Sequence, residues 1–167
     1  MKKDKKTSLR KSTHKPNYCI ACILPAILIV ALDQITKYAI RSSLILGKNN
    51  PIIPYILDFT YLQNTGAAWG ILKNNNMLFI WIYLIALGII LYNYESLPKP
   101  KFAMSFILAG IIGNFMDRIF LGHVVDFIDF KFWPVFNVAD SAISIGAAII
   151  IIYGIREDLI SSRKHIS

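Results

Sequence analysis

The chain has 167 residues, of which 55% are hydrophobic and 17% charged, and its formal net charge is +8 at pH 7. The charges come in blocks between long apolar runs, which excludes an ordinary soluble core and indicates a membrane protein, because lipid receives the apolar surface. The positive charge does not indicate nucleic acid binding, since seven of the eighteen basic residues precede the first apolar run, as is typical of a cytoplasmic tail.

Four apolar runs, each near the length of about 20 residues that crosses hydrocarbon as a helix, predict four transmembrane helices. In chain order they cover residues 18–40, 77–92, 102–121 and 138–153. Counting both tails and the loop at residues 94–101 as cytoplasmic collects twelve of the eighteen basic residues. Both termini are therefore expected in the cytoplasm, which leaves the other two connecting segments outside.

The first outer segment has aromatic and β-branched residues at strand-like spacing over residues 55–62, and these predict a small sheet. Residues 66–72 predict a short interfacial helix, with Trp69 at the headgroup level. The expected fold is thus an all-α membrane protein of four transmembrane helices with a small extracytoplasmic β-sheet and a short interfacial helix. We expect a disordered basic cytoplasmic tail at 1–16, a membrane domain at 17–156 and a cytoplasmic C-terminal tail at 157–167.

Polar residues from separate segments are predicted to share one depth, near the outer face. Ionisable residues at membrane depth are expensive, so their default interpretation is functional. The group comprises Asp33, Lys37, Asn64, Asn114, Asp117, Arg118, Asp126, Asn137 and Asp140.

Four sequence blocks resemble, in order and context, those of lipoprotein signal peptidase, the type II signal peptidase of bacteria. They are Asp-Gln-Ile-Thr-Lys at 33–37, Asn-Thr-Gly-Ala-Ala-Trp-Gly at 64–70, the stretch from Gly113-Asn114 to Asp126-Phe127, and Phe-Asn-Val-Ala-Asp-Ser at 136–141. The resemblance implies an intramembrane aspartic protease that removes the signal peptide of a prolipoprotein on the amino side of its diacylglyceryl-cysteine. Carried over by position, the catalytic pair falls on Asp126 and Asp140. Trp69 departs from the pattern, because the family more often has Phe there.

Further residues are expected to bind substrate or support the site, namely Asp33, Lys37, Asn64, Gly66, Asn114, Arg118 and Asn137. The resemblance also implies a location in the bacterial inner membrane, with the site near the outer face. Besides the diacylglyceryl-modified prolipoprotein, the expected partners are membrane lipid and globomycin-type cyclic peptides, and the chain is expected to be a monomer. No cofactor, metal or nucleic acid is expected, since the three histidines lie too far apart to form an obvious ligand set with the cysteines.

Peptide hydrolysis by two carboxylates requires one ionised member, which activates water, and one protonated member, which polarises the scissile carbonyl. Like charges held close together enforce that division. Neighbouring apolar side chains are expected to lower the dielectric around the pair: Phe127, Ile128, Phe130, Phe132, Trp133 and Phe136.

Several alternatives stay open at the level of sequence. Asp126 and Asp140 could instead cap helix ends, since Asp140 follows Asn137 by three residues. Asp129 is a rival to Asp126, although a solvated loop charge is the expected role.

Asp33 and Lys37, one helical turn apart, either neutralise each other or support the site. Asp117 is expected to give structural support by pairing locally, with Arg118 orienting a loop or a phosphate, and His123 is expected to be an exposed spectator. A small proton-coupled transporter is the alternative function, but transporters tend to carry midplane charges and internal repeats, and this chain shows neither. A structural subunit would leave the four polar blocks unexplained.

Overall fold

The computed structural model describes residues 20–67, 71–93 and 96–164. The predicted disordered tail at 1–16 and Trp69 lie outside these ranges. Within them the chain forms four helices and three strands, which in chain order are α1 (Ile20–Ser43), β1 (Asn49–Ile53), β2 (Leu57–Asn64), α2 (Asn76–Tyr92), α3 (Lys101–Phe120), β3 (Val124–Asp129) and α4 (Val138–Lys164).

Each predicted apolar run coincides with a helix. Three helical stretches are long and apolar enough to cross a membrane, Cys22–Ser43, Lys101–Phe120 and Val138–Ser162, while α2 is a shorter apolar helix of 17 residues. The helix α4 continues to Lys164, beyond the apolar run, so the start of the predicted C-terminal tail is helical. Residues such as Arg156 and Glu157 are good helix formers, and they continue the helix after its apolar part ends.

The helix α3 lies at the centre and packs against α1, α2 and α4. Small residues bring the helices close: a Cβ added to Gly110 would lie 2.3 Å from the Ala139 carbonyl oxygen, and one added to Gly113 would lie 2.6 Å from Asp33 Oδ2. The absence of a side chain at these two glycines therefore permits close helix packing. This packing brings the start of α4 against the middle of α3.

The three strands form an antiparallel sheet in the order β1-β2-β3, and β2 falls on the predicted strand. The third strand was not predicted. Leu62 lies opposite Asp126 and Asn64 lies opposite Val124, so Asn64 and Asp126 are diagonal neighbours across the two strands. Strand β3 also packs against α1, and the register therefore places Asp126 beside both β2 and the helices.

The segment expected to form a short interfacial helix is described only in part. Residues 68–70 lie outside the described ranges, Gly66 and Ala67 form a bend, and residues 71–74 form a turn. The Ala67 amide donates to the Ile71 carbonyl oxygen at 2.8 Å.

Candidate active site

The first turn of α4 is built by a reciprocal pair of hydrogen bonds. Asn137 Oδ1 accepts from the backbone N–H of Asp140 at 2.9 Å, and Asp140 Oδ2 accepts from the backbone N–H of Asn137 at 3.2 Å. This is the geometry of a capping box, which satisfies amide groups that the helix itself cannot pair, and it explains why α4 begins at Val138. Asp140 is therefore a capping residue, as one alternative proposed, and its second oxygen is left for another partner.

That second oxygen faces α3. Asp140 Oδ1 accepts from Asn114 Nδ2 at 2.7 Å. Asp126, which is 3% exposed, is held in a similar way by two asparagines: Asn137 Nδ2 donates to Oδ1 at 2.7 Å, and Asn64 Nδ2 donates to Oδ2 at 2.9 Å. Each carboxylate is thus fixed in orientation by two donors.

The two carboxylates line one pocket of about 310 Å³, which lies between the helices and the sheet. Residues from α2, α3, β2, β3 and the connecting loops complete its wall: Asn64, Gly66, Ala67, Phe79, Tyr83, Asn114, Arg118, Val124, Trp133, Pro134, Val135 and Phe136. The pocket is large enough for a short extended stretch of polypeptide rather than for a whole folded substrate.

Burial raises the pKa of the Asp126 carboxyl to about 7, and the negative charge of Asp140 acts in the same direction. Hydrogen bonds from Asn64 and Asn137 oppose the shift by stabilising the ionised form. Because the two carboxyls influence each other, the titration belongs to the pair. Near neutral pH the pair therefore retains a proton that an isolated aspartate would have lost.

The predicted ion pair between Asp33 and Lys37 is present, with 2.8 Å between Asp33 Oδ2 and Lys37 Nζ. Asp117 does not pair with its neighbour Arg118, and its Oδ2 lies instead 3.0 Å from Lys37 Nζ. Gln34, for which no role was predicted, joins the same cluster by donating to Asp117 Oδ1 at 3.1 Å. The only signal in the sequence for this contact was the position of Gln34 in the block at 33–37.

Arg118 closes the pocket on the side of α2. Its Nη2 donates to the Gly66 carbonyl oxygen at 2.6 Å, and its guanidinium carbon lies 4.2 Å from the centre of the Phe79 ring. The guanidinium thus holds the loop after β2, in line with the expectation that Arg118 orients a loop. Arg118 Nε is buried and has no hydrogen-bond partner among the described residues.

Asp129 lies at the end of β3, outside the pocket lining, and not in a loop as expected. Partial burial alone would raise its pKa, but hydrogen bonds from Lys131 and Thr60 outweigh this effect and lower the pKa of the Asp129 carboxyl. The Lys131 ammonium bridges Asp129 and the buried Asp58. This carboxylate is therefore occupied by a structural ion cluster.

Two further expectations were wrong in part. Of the six apolar residues expected around the pair, only Trp133 and Phe136 line the pocket, while Phe127 packs in the buried cluster with Tyr61 and Phe132 is exposed. His123 is half-buried instead of exposed, and burial lowers the pKa of its imidazole. Within the described ranges, no group of three or more His, Cys, Asp or Glu side chains is arranged to hold a metal ion.

The apolar helices and the pocket lined by two carboxylates define a membrane protein with a candidate active site. Residues 25–156 match the family model of signal peptidase (SPase) II. The chain belongs to the signal peptidase II family, and it is therefore a protease and a multi-pass protein of the bacterial inner membrane. The transporter alternative finds no support in the fold or in these similarities.

Individual relatives agree with the family. The chain is 45% identical over 126 residues to the lipoprotein signal peptidase of Caldanaerobacter subterraneus subsp. tengcongensis, which covers 73% of this chain and 87% of the relative. It is 41% identical over 145 residues to that of Enterococcus faecalis, covering 83% and 90%. A solved structure of a bacterial membrane enzyme superposes with a TM-score of 0.75 at 37% identity, over 85% of this chain and 91% of the other.

Proposed function

We propose that the chain is an aspartic endopeptidase, which removes the signal peptide of diacylglyceryl-modified prolipoproteins by cleaving on the amino side of the lipidated cysteine. The observation that carries this proposal is the convergence of Asp126 and Asp140, from a strand and a helix, on one pocket. The substrate class rests on the family and on the relatives, which bear the name lipoprotein signal peptidase.

The reaction needs one proton on the carboxylate pair at the outset. The ionised member takes a proton from water as the water oxygen attacks the scissile carbonyl carbon, and the protonated member donates to the carbonyl oxygen. In the second half of the reaction the C–N bond breaks. The carboxyl that took the proton from water gives it to the amine nitrogen of the departing cysteine, and a hydroxyl of the tetrahedral intermediate returns a proton to the other carboxylate. The pair is then singly protonated again. The raised pKa of Asp126 supports this protonation state near neutral pH.

The remaining predicted site residues divide by what they contact. Asn64, Asn114 and Asn137 orient the two carboxylates through their amide groups. Arg118 holds the Gly66 carbonyl and so fixes the loop beside the pocket.

The pocket is proposed to lie near the outer face of the membrane, with both chain termini in the cytoplasm. Trp133 and Phe132, which are 57% and 82% exposed, stand beside the pocket-forming loop and suit contact with membrane lipid and the acyl chains of the substrate. Globomycin-type cyclic peptides are proposed to occupy the same pocket, and the active unit is proposed to be a monomer.

The test is cleavage by purified protein in lipid, comparing a diacylglyceryl-modified prolipoprotein with the same chain left unmodified. The expected product has the lipidated cysteine as its new amino terminus, as read by mass spectrometry, and the unmodified chain is cleaved far more slowly. A strong chelator is expected to leave the rate unchanged, because the proposed chemistry uses only two carboxylates and water. Loss of activity on chelation that one added metal restores would overturn the aspartic mechanism, and equal cleavage of both substrates would overturn the substrate assignment.

A further inference from the structure

A buried ion cluster lies directly behind the two candidate catalytic residues. It consists of Asp33, Lys37 and Asp117, none of which is more than 2% exposed. Lys37 Nζ contacts both carboxylates and also donates to Asn114 Oδ1 at 2.9 Å, so all three ammonium hydrogens have acceptors. Desolvating three charges is costly and gives little net stability, which makes a purely stabilising role a poor explanation.

One carboxylate of the cluster binds the backbone next to Asp140. Asp33 Oδ1 accepts from the backbone N–H of Ala139 at 2.9 Å, and Ala139 immediately precedes Asp140 in the first turn of α4. This hydrogen bond crosses from α1 to α4. It uses an amide that the helix leaves unpaired, and its charged acceptor makes it stronger and shorter than a neutral one.

The other carboxylate makes the equivalent contact next to Asp126. Asp117 Oδ2 accepts from the backbone N–H of Val125 at 3.0 Å, and Val125 immediately precedes Asp126 in β3. This hydrogen bond crosses from α3 to the strand. Val125 is fully buried, so its amide has no access to water as an alternative partner.

Lys37 joins these two attachments. Its ammonium lies 2.8 Å from Asp33 Oδ2 and 3.0 Å from Asp117 Oδ2, and Gln34 Nε2 bridges the same two side chains at 3.1 Å from Asp33 Oδ2 and 3.1 Å from Asp117 Oδ1. A short path of polar contacts thus connects the peptide groups that precede the two carboxylates. One end of the path lies on a helix and the other on a strand, and it adds to the link that Asn137 makes between the same two elements.

We propose that Asp33, Lys37 and Asp117 form a positioning cluster. It fixes the distance and orientation between Asp126 and Asp140 by binding the backbone N–H of the residue that precedes each of them. The inference rests on the proposed aspartic mechanism and adds Asp117 and Gln34 to the residues that serve it. Two carboxylates that share one proton and one water must be held within about 0.5 Å of the productive geometry. Truncating either carboxylate of the cluster should therefore reduce turnover without removing a group that touches substrate.

The test compares Asp117→Ala with Asp117→Asn in the full-length protein, with kcat and KM measured on the lipid-modified prolipoprotein. A displacement on the order of 1 Å costs about 100-fold in rate, so Asp117→Ala should lose about that much in kcat while KM stays within about threefold. Asp117→Asn keeps an oxygen that can accept the Val125 N–H and should lose only about tenfold. If Asp117→Ala fails to fold, the kcat of Asp117→Asn relative to the wild type tests the proposal instead.

Asp58→Asn is the matched control. Asp58 is a buried carboxylate of β2 that pairs with Lys131, two residues after the end of β3, and it lies outside the pocket lining. Its loss should therefore lower thermal stability without lowering the kcat of the folded fraction. An Asp117→Ala protein that is folded and has wild-type kcat would overturn the proposal. An equal fall of kcat in Asp58→Asn would overturn it as well. Failure of the aspartic mechanism would look different, because Asp126→Asn would then itself remain active.

Discussion

Asn137 is the residue whose removal should separate helix capping from support of the carboxylates. Its side chain is fully buried and makes two kinds of contact: Oδ1 caps α4 by accepting the Asp140 N–H at 2.9 Å, and Nδ2 donates to Asp126 Oδ1 at 2.7 Å. Nδ2 also lies 3.1 Å from Asn114 Oδ1 and 3.3 Å from the Val125 carbonyl oxygen.

The magnitudes follow from these contacts. Loss of a helix N-cap costs about 1 kcal/mol. Loss of a hydrogen bond to a charged acceptor costs about 1.5–3 kcal/mol. Asn137→Ala should therefore lower the free energy of unfolding by about 3 kcal/mol. It should also release the Asp126 carboxylate and lower kcat by about 100-fold.

Asn137→Ser distinguishes the two roles. A serine hydroxyl can cap the helix about as well as an asparagine, so roughly 1 kcal/mol should be recovered relative to alanine. The hydroxyl is too short to replace the amide donor at Asp126, and activity should remain as low as in the alanine variant. The assay is thermal unfolding in detergent combined with initial cleavage rates. Asn93→Ala is the control, because Asn93 is exposed and its side-chain amide donates to the Ile89 carbonyl oxygen at the end of α2, away from the pocket.

Removal of the Asn137 donor should also change the pH profile. Its hydrogen bond lowers the pKa of Asp126, so the deprotonation that ends activity should move to higher pH in both variants. The reasoning is refuted if Asn137→Ser restores activity together with stability, since Asn137 would then act only as a cap.

Three other predictions follow from the structure. The kcat/KM, which reports the substrate-free enzyme, should fall as the pH rises through about 7 because the carboxylate pair then loses its last proton, and a flat profile up to pH 9 would contradict this assignment. In a background without native cysteines, a cysteine at Asn50 should react with an impermeant reagent from outside intact cells, whereas one at Ser162 should not, and the reverse pattern would invert the orientation. Gly110→Ala would place a Cβ 2.3 Å from the Ala139 carbonyl oxygen. Thermal unfolding should therefore show that the free energy of unfolding falls by about 1–3 kcal/mol, and unchanged stability would show that α3 and α4 separate easily.

Hydropathy alone was enough to predict the helices. The topology inferred from the charges put polar groups of separate segments at one level, and the structure brings several of them into contact. The strand β3 was missed because its residues were assigned to a connecting loop, although Val124, Val125 and Ile128 are β-branched. This omission explains two wrong expectations, that Phe127 lies beside the carboxylate pair and that Asp129 is a loop charge. In a strand, neighbouring residues point to opposite faces, so Phe127 packs away from Asp126, and Asp129, three residues on, lies on the other face too.

Other contacts depend on tertiary structure and leave no local signal. Lys37 pairs with Asp117 across 80 residues of chain, and sequence adjacency wrongly favoured a local partner for this carboxylate. Capping and site formation were treated as alternatives for Asp140, but the structure gives one oxygen to each: Oδ2 to the helix amide and Oδ1 to Asn114. A carboxylate has enough acceptor capacity for both tasks.

The most direct test of the aspartic mechanism is the cleavage rate of three purified variants on the lipid-modified prolipoprotein. Asp126→Asn and Asp140→Asn should each lose at least about 1,000-fold while remaining folded in the membrane, because an amide can neither take a proton from water nor donate one as an acid. Asp129→Asn should keep most of the activity, since that carboxylate pairs with Lys131 outside the pocket. An inactive Asp129→Asn beside an active Asp126→Asn would contradict the account.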